Sequence, residues 1–280
     1  MQEKINSALK RNKPIGIFDS GFGGLTVMSA INKVLPDEKL IYFGDTARVP
    51  YGSKSKNTIV KFSKEIANFL VRNGVKMIVI ACNTASVFSL SELKKYLKVP
   101  VIGVIEPGAQ TAVLTTRSRR IGIIGTEGTI KSCSYVKAIK KISNSVSVYQ
   151  QACPLLVPLV EEGWIKNKLT DAIVKYYLKP LLKRNIDTLV LGCTHYPLLK
   201  NSIQKTSGKN AVLIDSAKTT AQKVKDVLTK RGMLADENSK GSSPKLSFYV
   251  SDNPKKFQQI GAKFFSKKIN GVKRINLENL

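Results

Sequence analysis

Two cysteines, Cys82 and Cys193, each follow a short apolar run directly and precede polar residues that can open a helix. A thiol at the amino end of a helix is stabilised as the thiolate by the helix dipole and by free backbone N–H groups. Such a thiol can act as a base, an acid or a nucleophile. A lone cysteine in this position is more often a small buried apolar residue, so it is the matched pair that favours chemistry.

The two cysteines occupy matching places in two similar halves of the chain. Residues 15–18 resemble residues 121–124 at an offset of 106, and residues 78–82 resemble residues 189–193 at an offset of 111. If the halves face each other, the two sulfurs lie on opposite sides of one cleft. One thiolate can then remove a proton from one face of a carbon while the other thiol delivers a proton to the opposite face.

Two further titratable residues stand beside this pair. His195, the only histidine of the chain, lies two residues after Cys193 and is predicted to assist the proton carried there. Asp19 ends the first predicted strand and is a candidate for the same part beside Cys82, with a helix N-cap as the structural alternative. The glycines that follow Asp19 do not match GxGxxG, and they predict a tight turn with backbone N–H groups free to bind a carboxylate.

The other two cysteines, Cys133 and Cys153, lack this context and are predicted to be structural. The spacing of the four cysteines and His195 fits no common zinc pattern. No Walker A motif and no lysine context typical of pyridoxal phosphate is visible. The sequence therefore predicts chemistry without a metal or cofactor.

Alternating apolar runs and amphipathic stretches predict an α/β fold with mainly parallel sheets covered by helices on both faces. The predicted strands cover residues 15–18, 40–43, 77–80, 101–105, 121–124, 146–149, 188–191, 211–214 and 246–250. The predicted helices cover residues 25–34, 55–73, 86–97, 130–141, 171–183, 216–228 and 255–265. Since ligands bind beyond the carboxyl ends of parallel strands, both cysteines fall where a site is expected.

The duplication predicts two similar domains with the active site in the cleft between them. The first is expected to be discontinuous, formed by residues 1–104 and 217–280, and the second to cover residues 105–216. The tail after residue 216 is therefore expected to return to the first domain. The polar loop at 236–244 is the best candidate for disorder.

The chain carries 46 Lys and Arg against 19 Asp and Glu, a formal net charge of +27. Such a charge suits nucleic acid or an anionic membrane surface. The basic residues are spread along the whole chain, which favours general surface drift and only non-specific attraction of polyanions at low salt. No apolar run reaches the ~18–20 residues of a membrane span, and residues 1–13 lack a signal-peptide apolar region. These features predict a cytoplasmic protein with reduced thiols and no membrane partner.

Five segments together resemble the glutamate racemases of the aspartate/glutamate racemase family. They are PIGIFDSGFGGL at 14–25, YFGDTARVPYG at 42–52, ACNTA at 81–85, PLLVPLVEEG at 154–163 and GCTHYPL at 192–198. The resemblance runs from about residue 14 to residue 216, with the segments in the family's order. Aspartate racemases share the cysteine pair but not this combination of flanking residues.

The resemblance implies cofactor-independent interconversion of L- and D-glutamate, supplying D-glutamate for peptidoglycan and so for cell wall biogenesis and cell shape. It implies that Cys82 and Cys193 are the acid/base residues, the first acting on the D form and the second on the L form, assisted by Asp19 and His195. It implies that the substrate is bound by Asp19, Ser20, Tyr51, Gly52, Asn83, Thr84, Glu161, Thr194 and His195. Glu161 is expected to meet the substrate ammonium, although the adjacent Glu162 leaves the choice of glutamate open.

Other functions stay open on the sequence. An aspartate racemase shares the mechanism, and a nucleic-acid-binding or gyrase-binding protein on a racemase fold would use the positive charge. The resemblance also leaves open a peptidoglycan-precursor activator and a homodimer. The intact cysteine pair with its polar neighbours favours the enzyme.

Overall fold

The computed structural model describes residues 11–236 and 245–277. In those residues ten strands form two sheets in which every pairing is parallel. The strands are β1 (Ile15–Asp19), β2 (Leu40–Gly44), β3 (Met77–Ile80), β4 (Val101–Gly103), β5 (Arg120–Gly125), β6 (Ser147–Ala152), β7 (Thr188–Gly192), β8 (Val212–Asp215), β9 (Leu246–Val250) and β10 (Lys273–Arg274). The predicted α/β class with parallel sheets is confirmed.

Helices connect these strands and cover the sheets. They are α1 (Leu25–Val34), α2 (Lys56–Arg72), α3 (Asn83–Tyr96), α4 (Ile105–Thr115), α5 (Glu127–Lys131), α6 (Ser134–Ile142), α7 (Leu156–Glu161), α8 (Lys168–Leu182), α9 (Lys200–Ser207), α10 (Ser216–Lys230) and α11 (Pro254–Phe265). Among the described residues no helix is long and apolar enough to cross a membrane.

The two sheets repeat one strand order, which supports the predicted duplication. The first runs β10-β9-β2-β1-β3-β4 and the second β6-β5-β7-β8, so β1 to β4 correspond in place to β5 to β8. In the first sheet Ile15 pairs with Met77, and in the second Ile121 pairs with Thr188, which reproduces both offsets found in the sequence. The central strands are wholly buried because helices cover both faces, and this explains their continuous apolar runs.

The carboxyl-terminal segment returns to the first sheet, as expected. Strand β9 pairs with β2, from Leu40 opposite Leu246 to Gly44 opposite Val250. Helix α10 packs against α1, which belongs to the predicted first domain, and also against α4, which belongs to the predicted second domain. The division of the chain at residues 104 and 216 therefore stays a prediction. Of the loop predicted to be disordered, residues 237–244 lie outside the described residues.

Several predicted elements differ from the structure in their extent, and two of these errors have a clear local cause. The strand predicted at 101–105 ends at Gly103, because the backbone N–H of Val104 donates to the Ser86 hydroxyl at 3.2 Å and leaves the sheet. The helix predicted at 130–141 is divided at Cys133, whose backbone adopts φ +54° and interrupts the helical hydrogen bonds. Helices α4, α7 and α9 and strand β10 were not predicted.

Candidate active site

Cys82 lies where β3 ends and α3 begins. Its sulfur caps the helix by accepting the backbone N–H of Ala85 at 3.4 Å, and its thiol donates to the Ser20 hydroxyl at 3.7 Å. Burial raises the pKa of Cys82 to about 12, and the nearby carboxylate of Asp19 adds to the increase. In the ligand-free site the Cys82 group is therefore the protonated thiol at neutral pH.

Cys193 follows β7 at the matching place in the second sheet. Its sulfur lies 3.9 Å from Nδ1 of His195, whose Nε2 lies 3.0 Å from a carboxylate oxygen of Glu161. Burial opposes the charged imidazole, but the hydrogen bonds and charges of Cys193 and Glu161 prevail and raise the pKa of His195 to about 10. The imidazolium therefore persists at neutral pH, held between the Cys193 sulfur and the Glu161 carboxylate.

Both sulfurs line one small enclosed cavity between the two sheets. Its volume is about 30 Å³, which holds about two water molecules. The lining residues are Ser20, Val49, Pro50, Tyr51, Gly52, Cys82, Asn83, Thr84, Thr126, Val157, Gly192, Cys193, Thr194 and His195. None of these is Lys or Arg, so any anion in this cavity is bound by hydroxyl and amide donors and by His195.

Most of the predicted substrate-binding residues meet in this cavity. Ser20, Tyr51, Gly52, Asn83, Thr84, Thr194 and His195 all line it. The hydroxyl of Tyr51 donates to the buried carboxylate of Asp45, which also accepts from Nε of Arg48, so this ring is held rigidly at the wall. Gly52 lets Thr126, in the second half of the chain, approach closely, because a Cβ on residue 52 would lie 2.9 Å from the Cβ of Thr126.

Two predicted residues, Asp19 and Glu161, lie just behind the cavity wall. Asp19 is fully buried, and its carboxylate accepts from the Gly21 N–H at 3.0 Å and from the Thr194 hydroxyl at 3.4 Å. Burial raises the pKa of Asp19, against the opposing charge of His195. Glu161 contacts His195, whereas Glu162 is exposed, and so Glu161 is the glutamate that faces the site.

The glycine loop after β1 packs closely against residues of the second half of the chain. A Cβ on Gly23 would lie 2.2 Å from the Thr194 hydroxyl and 2.7 Å from Nδ1 of His195, so only glycine fits against the second half there. The Gly21 N–H, predicted to be free for a ligand carboxylate, donates to Asp19 instead. This part of the prediction is wrong because a carboxylate of the protein itself occupies the turn.

Sequence reasoning missed Thr126, Val49, Pro50, Val157 and Gly192 as lining residues. Thr126 had a signal in the sequence, since it is the counterpart of Ser20 at the offset of 106. Its hydroxyl lies 3.0 Å from that of Thr84, which joins the two halves by a hydrogen bond. The two remaining cysteines stay outside the cavity: Cys153 is buried in the core and Cys133 is exposed.

The histidine contact predicts a pH dependence of stability. The pKa of His195 is about 10 in the folded protein, against an ordinary value of 6.5. The folded protein therefore binds the imidazole proton more tightly than the unfolded chain does. The stabilisation is complete below about pH 6.5, on the order of a few kcal/mol, and is lost as pH rises toward 10. We expect the Tm difference between the unsubstituted protein and His195→Gln to be largest near pH 6 and to shrink by pH 10 in thermal melts. A difference that does not change with pH would contradict the assigned contact.

Comparisons with known proteins agree with this site. A model of the Asp/Glu/hydantoin racemase family matches residues 15–224. Glutamate racemase of Geobacter metallireducens is 51% identical over 266 residues, covering 95% of this chain and 97% of that protein. The chain therefore belongs to the Asp/Glu/hydantoin racemase family. The predicted resemblance to glutamate racemases is confirmed, and the chain is an isomerase that acts on amino acids.

Solved structures give the same result for the fold. Glutamate racemase isoform RacE1 from Bacillus anthracis has a TM-score of 0.90 at 40% identity, covering 95% of this chain and 98% of that one. Glutamate racemase from Francisella tularensis in complex with D-glutamate has a TM-score of 0.89 at 37% identity, covering 96% and 100%. The Escherichia coli glutamate racemase, in complex with L-glutamate and the activator UDP-MurNAc-ala, has a TM-score of 0.77 at 26% identity, covering 94% and 98%.

Proposed function

We propose that this protein interconverts L- and D-glutamate without a cofactor, with Cys82 and Cys193 as the two acid/base residues. The observation that carries the proposal is that the two buried sulfurs, from matching strand ends of two similar sheets, line one cavity. Relatives near 50% identity over almost their whole length support glutamate as the amino acid.

Cys82 on one side of the cavity and Cys193 with His195 on the other are suited to opposite roles in proton transfer. At neutral pH the buried thiol of Cys82 is a proton donor, while the Cys193 sulfur faces the imidazolium of His195. In our proposal Cys193 removes the Cα proton of L-glutamate and Cys82 protonates the other face. The turnover leaves Cys82 as the thiolate and Cys193 as the thiol, which is the state that acts on D-glutamate.

Loss of the Cα proton places negative charge on the α-carboxylate of the substrate. Fixed donors aimed at that charge lower the barrier, because they need no reorganisation during the reaction. Ser20, Asn83, Thr84, Thr126 and Thr194 present hydroxyl or amide groups to the cavity. In our proposal these groups bind the carboxylates, and the carboxylates of Asp19 and Glu161 attract the substrate ammonium.

Substrate entry requires the site to open. A cavity of about 30 Å³ is smaller than glutamate, so the loops that carry the two cysteines must separate to admit it. The contacts that would part include the hydrogen bonds of Thr84 with Thr126 and of Thr194 with Asp19. We propose the division into domains of residues 1–104 with 217–280 and of residues 105–216 as the two bodies that move.

The biological role extends this proposal. D-Glutamate made here would supply peptidoglycan synthesis in the cytoplasm, and thereby cell wall biogenesis and cell shape. A peptidoglycan precursor is a candidate activator, since the Escherichia coli relative is described with one. Assembly as a homodimer stays a prediction.

The first test follows the circular dichroism of L-glutamate and of D-glutamate with purified protein in D2O and no added cofactor. We expect both signals to decay, with deuterium at Cα of the product. At early times the remaining substrate should keep its Cα hydrogen, because a two-base site takes the proton on one face and returns solvent deuterium on the other. Early deuterium in the substrate would instead indicate a single base and contradict the proposed roles.

Parallel arms separate the alternatives. Activity only after addition of UDP-MurNAc-alanine would assign an activator. Decay of the circular dichroism signal of aspartate, but not that of glutamate, would show that aspartate is the substrate. No turnover in any arm, with tight oligonucleotide binding at moderate salt, would favour the nucleic-acid-binding alternative.

A further inference from the structure

The side-chain amide of Asn83 is satisfied at one end only. Its Oδ1 accepts a hydrogen bond of 2.8 Å from the hydroxyl of Tyr135. Its Nδ2 is buried and lacks a hydrogen-bond partner within the described part of the chain. Asn83 lines the cavity and is only 3% exposed, so a donor without an acceptor lies where a ligand is expected.

Tyr135 is itself held firmly in place. The ring is fully buried, and it belongs to α6 in the second half of the chain, whereas Asn83 belongs to the first. Two glycines let the ring fit closely, since a Cβ on Gly108 would lie 3.3 Å from it and one on Gly192 would lie 3.2 Å away. The position of the phenol oxygen is therefore set by packing, independently of Asn83.

A fixed phenol selects one orientation of the amide. The oxygen of an amide only accepts and its nitrogen only donates. If the amide of Asn83 were flipped, the Tyr135 O–H would lose its acceptor in a buried place, because no other partner for it lies among the described residues. Oδ1 would then face the cavity. It would repel a carboxylate oxygen of a ligand there, because both oxygens accept hydrogen bonds and neither donates.

We propose that Tyr135 is a positioning residue, which holds the Asn83 amide with Nδ2 toward the cavity, where Nδ2 donates to a carboxylate oxygen of the substrate. The inference rests on the proposed function and adds a residue that does not line the cavity. Tyr135 acts through Asn83, so its effect on turnover must disappear when the amide is absent.

A double-mutant cycle on racemisation tests this, with Tyr135→Phe, Asn83→Ala and the double variant compared with the unsubstituted protein. We expect Tyr135→Phe to lower kcat/KM about 10- to 100-fold, as loss of a buried hydrogen bond with its orientation does. In the Asn83→Ala background the same substitution should change kcat/KM by less than about twofold. Independent, multiplicative effects, or a Tyr135→Phe variant with unchanged kcat/KM, would overturn the inference.

Tyr196→Phe is the matched control. Its hydroxyl is equally buried and also lies in the field of Cys193, but it donates to the backbone carbonyl of Cys153 and not to a cavity residue. We expect its kcat/KM to stay within about twofold of the unsubstituted protein. A loss as large as that of Tyr135→Phe would assign the effect to the field at Cys193 and overturn the inference.

Asn83→Asp covers the case in which Tyr135→Phe does not fold. The aspartate keeps the size of the side chain and an acceptor for Tyr135, but it replaces the Nδ2 donor by an oxygen. We expect kcat/KM to fall at least about 100-fold, and near-normal turnover would overturn the donor role. An unsubstituted protein that racemises neither glutamate enantiomer, with or without UDP-MurNAc-alanine, would instead overturn the proposed function and this inference with it.

Discussion

Replacing either Cys82 or Cys193 by serine is expected to lower kcat/KM at least about 10³-fold, because a serine hydroxyl is a much weaker acid than a thiol and cannot supply the base. Both side chains are buried and differ from serine by one atom, so the fold should persist. Far-ultraviolet circular dichroism and thermal melts check the fold, and polarimetry of both glutamate enantiomers checks activity. Cys133→Ser is the matched control, since that cysteine is exposed and outside the cavity, and its activity should be unchanged.

Isotope effects separate the two cysteines. The enantiomers have equal free energy in water, so any variant must lose kcat/KM equally in both directions, and rates alone do not assign the residues. In Cys82→Ser the proton transfer on the D side becomes limiting, and the primary isotope effect should appear with Cα-deuterated D-glutamate. In Cys193→Ser it should appear with Cα-deuterated L-glutamate. The reverse pattern would exchange the two roles, and near-normal turnover in both variants would refute the two-base mechanism.

Gly23→Ala is expected to lower kcat/KM at least about 100-fold, since small misplacement of reacting groups has effects of that size. The added Cβ would lie 2.2 Å from the Thr194 hydroxyl and 2.7 Å from Nδ1 of His195. Neither side chain can yield freely, because Thr194 donates to Asp19 and His195 contacts Glu161. Overpacking of this kind should also reduce the free energy of unfolding by about 1–3 kcal/mol.

Gly21→Ala is the control for this prediction, in the same loop. Among the described residues, a Cβ on Gly21 would meet only Val49, at an ordinary contact distance of 3.5 Å. Its kcat/KM and Tm should therefore stay near those of the unsubstituted protein. Equal behaviour of the two alanine variants would show that the loop moves away from the second half, and it would contradict the close packing of Gly23 against Thr194 and His195.

The amino-acid sequence alone was enough to predict the architecture and to single out the two cysteines as a matched pair. Helices on both faces leave the central strands no contact with water, so apolar runs such as residues 77–80 could be read directly as strands. The duplication followed from comparing the chain with itself, and it placed Cys82 and Cys193 at equivalent strand ends. The flanking segments then indicated the family, which the comparisons confirmed.

Which groups meet across the two halves became visible in the folded structure and not before. The contact of Glu161 with His195, the hydrogen bond of Tyr135 to Asn83 and the close approach at Gly23 join residues far apart in sequence. No local pattern encodes such pairs, because each depends on how the two sheets are placed against each other. The errors at Gly103 and Cys133 have a different, local reason: a hydrogen bond from the Val104 N–H to Ser86 and a left-handed backbone at Cys133 end elements that the apolar periodicity would continue.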